Sequence, residues 1–183
     1  MPAINTAIDV FMTYRFLRTL TRDWTSMKAY ELGIIDDEGT VLKKRKDLSS
    51  TEERNAYTLF DRLVWKLKRL LGKVPGGKST VASYAAALWL IKENVSQTMK
   101  NPDMLEEAFV EYMTEKHGID LMDRCETGDF KVPQRGKYNV LGEDFTLIDA
   151  CPSIGQCLGV SLYELYFDNQ REIVSYEDFQ RPA

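Results

Sequence analysis

With one histidine, His117, and three cysteines, Cys125, Cys151 and Cys157, this chain is short of the side chains that build most catalytic and metal sites. A Ser-His-Asp or Cys-His relay has a single candidate base, and no G-x-S-x-G elbow accompanies it. Cys151 and Cys157 lack the tight C-x2-C spacing of structural zinc. An odd cysteine count without a short-domain framework fits reduced thiols in a cytoplasm. Long apolar runs are missing too. The longest uncharged apolar stretch, 81–91, falls well short of the roughly 20 residues needed to span a bilayer. No basic segment followed by an apolar run opens the sequence, so neither a secretory signal nor a membrane partner is expected. Asp36-Asp37-Glu38 sits in a turn without the full ligand pattern of a calcium loop. No cofactor, metal or reaction centre is expected from these residues.

What remains is enough to fold. Hydrophobic residues make up 44% of the 183 positions and aromatic residues 11%, which argues for a packed core rather than disorder. The net charge of −4 is unevenly placed: residues 1–42 carry −2, residues 43–78 carry +7 and residues 79–183 carry −9. Such a split suits contact with nucleic acid, with an acidic surface of a partner, or with another copy of the chain.

Periodicity gives the elements. Apolar spacing predicts a helix over Ile4 to Leu20 and a short one over Thr25 to Leu32, stopped by Gly33. Ile34 to Leu42 has two short apolar runs around an Asp- and Gly-containing turn, which predicts a small hairpin. Ser50-Thr51-Glu52-Glu53 is a capping box, and the helix it opens is expected to reach Leu71. That helix has one apolar arc (Leu59, Phe60, Leu63, Val64, Leu67, Leu70, Leu71), with Trp65 placed on its charged side. A helix apolar on every face is expected over Val81 to Asn94, capped by Ser79 or Thr80. Another follows Asn101-Pro102 and ends at Gly118. Beyond about residue 125 the pattern turns to strands at Lys137–Val140 and Phe145–Ile148, then a hairpin of Val160–Phe167 with Glu172–Tyr176. The expected architecture is α+β: an N-terminal helical bundle with a small hairpin over residues 1–120, and a β-rich part over 121–183 packed on it.

Two signals point toward binding. Gly72-Lys73-Val74-Pro75-Gly76-Gly77-Lys78-Ser79 spells the P-loop pattern, with Lys78 as its phosphate ligand and Ser79 as its Mg²⁺ ligand. A P-loop needs a strand before the glycine, however, and here a helix is expected. Pro75 also removes one amide from the cradle. The segment therefore reads as a turn between two core helices. The second signal is a basic patch. Lys43, Lys44, Arg45 and Lys46 lie in a loop, Arg62, Lys66, Arg69 and Lys73 recur along one helix face, and Lys78 follows. Regular spacing lets such side chains track a phosphate backbone, and Trp65 is the candidate for stacking on a base. The alternative is a solvated or partner-facing helix surface.

Three stretches are familiar as words. Ala29-Tyr30-Glu31-Leu32-Gly33-Ile34-Ile35-Asp36-Asp37-Glu38-Gly39 with Val41-Leu42-Lys43-Lys44 resembles a segment of short proteins of tailed bacteriophages. So do Tyr57–Val64 with Lys68-Arg69-Leu70-Leu71, and Pro75-Gly76-Gly77-Lys78 with Ala82-Ser83-Tyr84-Ala85-Ala86-Ala87-Leu88. The resemblance spans roughly residues 9–95 and supplies no catalytic residues. It implies a non-enzymatic structural or head-assembly component, located in the virion or the host cytoplasm. Its implied partners are other phage proteins or further copies of itself. DNA or RNA binding through the basic helix is the alternative, and nucleotide binding through Lys78 a further one.

Overall fold

The computed structural model describes residues 6–73, 78–121 and 132–182, without the side chains of Lys78 and Ser79. Within these the chain is α+β: six α-helices, then two small antiparallel sheets. It divides into two compact units, Met1–Val74 with Ile91–Ala108, and Pro75–Leu90 with Phe109–Ala183.

In the first unit, α1 (Ala7–Thr21) opens at a capping box in which Thr6 and Asp9 satisfy each other's amides. Met12, Phe16 and Leu20 form its buried stripe, and α1 packs on α4 (Leu59–Leu71). The expected short helix becomes a 3-10 turn at Trp24–Ser26 followed by α2 (Lys28–Glu31). Gly33 closes it at φ +66, donating to the Tyr30 carbonyl while Ile34 donates to that of Ala29. The hairpin at 34–42 is reduced to a single bridge, Ile35 to Val41. Asp36 holds its turn by accepting from the amides of Glu38 and Thr40 at 3.0 and 2.7 Å. Gly39 is required there: its φ is +80, and a Cβ would meet the Trp24 indole at 2.6 Å.

The capping box at Ser50 and Glu53 is present, but the helix it opens is short. α3 (Thr51–Asn55) ends, and α4 starts at a second box formed by Thr58 and Asp61. One expected helix is thus two. The Thr58 hydroxyl takes the Asp61 amide, so the chain restarts instead of continuing. The segment entering Gly72 is helical, and Gly72 itself is an αR C-cap. The turn at Pro75-Gly76-Gly77 lies outside the described residues. α5 (Lys78–Val95) follows, longer at its start than expected. Over 81–91 most of its faces are buried, with Ala86, Trp89 and Leu90 half-buried and Ser83 exposed. α6 (Asp103–His117) buries Leu105, Phe109 and Met113 and ends at Gly118, φ +61. Lys92 of α5 bridges Asp103 and Glu106 of α6 at 2.7 and 2.6 Å.

The second unit holds the sheets. β1 (Gly136–Val140) lies between β2 (Glu143–Leu147) and β6 (Phe179–Gln180). β4 (Val160–Phe167) lies between β3 (Gly155–Cys157) and β5 (Gln170–Ser175). Three two-residue turns make the hairpins: Leu141-Gly142, Leu158-Gly159 and Asp168-Asn169. All six of those residues have positive φ, the type I′ geometry that matches strand twist. Both sheets contribute to one core of Tyr138, Val140, Leu147, Tyr163, Leu165, Val174 and Phe179. Phe179 packs edge-on against Tyr138 and Tyr163.

Candidate functional site

The basic residues of the first unit are divided between surface and scaffold. Lys43 is half-buried and committed: its ammonium lies 2.8 Å from the Glu53 carboxylate and donates to the Leu32 carbonyl. Glu53 gains most from that bond. With the Ser49 and Ser50 amides also donating to it, its carboxyl is held down at about 2 against the pull of burial. Arg62 is half-buried with its guanidinium 5.3 Å from the centre of the Tyr57 ring. Arg69, though exposed, donates to the Gly39 carbonyl at 2.9 Å, tying α4 to the tight turn. Lys44, Arg45, Lys46, Lys66 and Lys73 are exposed. The Lys78 side chain lies outside the described residues. Five of the predicted contact residues thus keep their side chains in water, and three are occupied with the protein's own groups.

Trp65 is displaced from its expected role. It is only 3% exposed and belongs to a cluster with Met27, Ala29, Ile34, Ile35 and Leu48. Tyr57 and Trp24 stack around it at 5.8 and 6.2 Å between ring centres. A helical wheel places Trp65 on the polar flank because it assumes one buried face. α4 is covered on two: α1 lies on one, and the loop cluster after α2 takes the other. An indole enclosed in this way offers no face to a base. Its Nε1 is buried without a hydrogen-bond acceptor.

Lys68, absent from the predicted set, is also part of the scaffold. It donates to the Leu20 carbonyl at 3.0 Å and lies 5.1 Å from the Trp24 ring centre. Burial lowers its pKa. A small cleft of about 200 Å³ lies between α1, α2 and α4, bordered by Arg15, Arg22, Lys28, Asn55 and Asp61. Its charges are matched locally: Arg15 pairs with Asp61 at 3.3 Å, and Lys28 pairs with Glu31 and Glu52 at 3.0 and 3.1 Å. Asp9 carries out a similar internal task. Its carboxylate is fully enclosed and accepts from the amides of Thr6 and Lys100 at 3.0 and 2.8 Å. Those bonds, led by Thr6, lower its pKa.

The feature that sequence reasoning missed is on α1. Ile8, Val10, Phe11 and Tyr14 are exposed on the side opposite Met12, Phe16 and Leu20. The signal was present in the alternation of apolar residues around the whole circumference of the first three turns. Among the described residues no three His, Cys, Asp or Glu side chains converge as metal ligands, and no helix is long and apolar enough to cross a membrane. No family model, curated protein or solved structure matches the chain.

Proposed function

We propose that this chain is a non-enzymatic structural or assembly protein of a tailed bacteriophage, working through protein–protein contacts in the virion or the host cytoplasm. The phage attribution rests on the resemblance over residues 9–95. The working mode rests on one observation, the exposed apolar side of α1, where Ile8, Val10, Phe11 and Tyr14 stand clear of the chain's own core. Concentrated exposed apolar surface marks contact with another macromolecule. Three carboxylates with lowered pKa, Asp9, Asp36 and Glu53, hold backbone amides in place, an architectural use of charge. Mass spectrometry of purified proheads and virions tests the proposal. It expects the chain at a fixed stoichiometry in one of these particles, and absence from both overturns it.

A second reading is favoured by the solvated cations Lys44, Arg45, Lys46, Lys66 and Lys73. If they bind DNA or RNA, reversing all five to glutamate abolishes retention at low salt and flattens its salt dependence. Unchanged retention ends that reading. Arg62 and Arg69 are poor choices for this test, because their loss disturbs Tyr57 and the Gly39 turn.

A further inference from the structure

The outward side of α1 has the features of a helix-packing seam. Ile8 is 53% exposed, Val10 54%, Phe11 60% and Tyr14 59%, four large apolar side chains within seven positions. At 100° per residue they occupy an arc of about 160°, centred opposite the arc of Met12, Phe16 and Leu20. Ala7, Phe11, Tyr14 and Arg18 recur at steps of four, three and four, the spacing by which one helix meets another along its length. One charge lies within the seam before Arg18: Arg15 follows Ile8 by seven positions, and its side chain is 36% exposed. Of the two charged residues in the first ten positions of α1, Asp9 is enclosed and Arg15 is turned to Asp61 and to the Phe60 ring, 4.6 Å from its centre.

We propose that this face is the interface of a homodimer, in which α1 packs antiparallel against α1 of a second copy with Phe11 on the two-fold axis. The inference deepens the assembly reading by naming the partner, and its geometry is that of α1 alone. An isologous contact needs a surface complementary to itself. An apolar strip whose one charge, Arg15, is paired with Asp61 of its own chain meets that condition, since its copy brings no unpaired charge into contact. With Phe11 on the axis, Ile8 of one copy faces Tyr14 of the other. Arg18 then faces position 4 of the other copy, which lies outside the described residues. The area also fits. From the usual areas of such side chains and their exposed fractions, the four present roughly 500 Å². Complete coverage in both copies removes at most about 1,000 Å² from these side chains, the lower bound for a specific interface.

Sedimentation of the full chain across a range of concentrations tests this. The parent is expected to sediment as a dimer at about 100 µM, and Phe11→Glu as a monomer with association weakened at least about tenfold. Tyr14→Ser is a milder companion, expected to give an intermediate weakening with unchanged circular dichroism. Ile148→Glu, at the most exposed apolar side chain of the second unit, is expected to leave the dimer intact. Phe11→Cys adds a geometric readout, because identical residues meet on a two-fold axis. With Cys125, Cys151 and Cys157 changed to Ser in both proteins, oxidation should yield a covalent dimer from this variant and not from the protein that keeps Phe11. A monomeric parent, a Phe11→Glu protein that still dimerises, or a Phe11→Cys protein that does not cross-link overturns the proposal. A dimer formed by a chain absent from particles retires the assembly role and keeps this inference; a monomer found in particles does the reverse.

Discussion

Trp65 shows at the scale of one residue how burial decides function. Its sequence position beside Lys66 and Arg69 suggests an aromatic for stacking, and its surroundings make it a core residue. Trp65→Ala is expected to cost about 3–5 kcal/mol in chemical denaturation. Trp65→Phe should cost much less, because it also removes an indole N–H buried without an acceptor. A Trp65→Ala protein of parental stability that has lost nucleic-acid affinity would return the residue to the surface role. Glu53 makes the second residue-scale prediction. Its folded pKa of about 2 lies below the ordinary glutamate value near 4.3. The stability it contributes is therefore complete above the unfolded pKa and is lost as pH falls through the window from about 4.3 to 2. Asp9 and Asp36 shift in the same direction. Melting curves should show Glu53→Gln less stable than the parent at neutral pH, with the gap closing below about pH 3. A gap that stays constant with pH contradicts the assignment. Glu53 was legible in the sequence as a helix cap, but its bond to Lys43 was not, because that bond joins α3 to the loop before it.

Elements were legible where local chemistry set them. The Ser50–Glu53 box, the Gly33 and Gly118 stops and the α5 apolar run all appear in the sequence as they do in the fold. The break between α3 and α4 was not read, since its box carries aspartate at the third position, where the familiar signature has Glu or Gln. Thr58→Ala should therefore lower stability by about 1 kcal/mol and fray the start of α4. Amide exchange at Asp61, faster in the variant, reports the fraying, and unchanged exchange would show that the cap carries no weight. β3 and β6 were missed because three and two residues leave no period to detect. The Leu141 and Leu158 turns were missed for another reason: leucine is a poor occupant of positive φ, so neither carries the Asn-Gly signal. Leu141 is exposed and gives nothing to the core. Leu141→Asn is expected to raise stability by up to about 1 kcal/mol, measured by denaturant midpoint. A loss would mean that the turn is held in another geometry.

Taken whole, the chain spends many of its charges on its own architecture and leaves apolar surface outside. Lys43, Arg69 and Lys68 bind carbonyls or carboxylates of the same chain, while Phe11 and Tyr14 face solvent. The +7 segment, conspicuous in the sequence, becomes a smaller set of solvated side chains once these internal bonds are counted. The α1 face stays invisible in composition because its residues resemble ordinary core residues until the fold shows which side is covered. Photo-cross-linking in cells that produce the chain tests these two surfaces against each other, with a photoreactive phenylalanine replacing Phe11 in one variant and a photoreactive lysine replacing Lys66 in another. The account predicts protein captured from position 11, including a second copy of this chain, and no nucleic acid captured from position 66. DNA or RNA captured at position 66 with nothing captured at position 11 would contradict it.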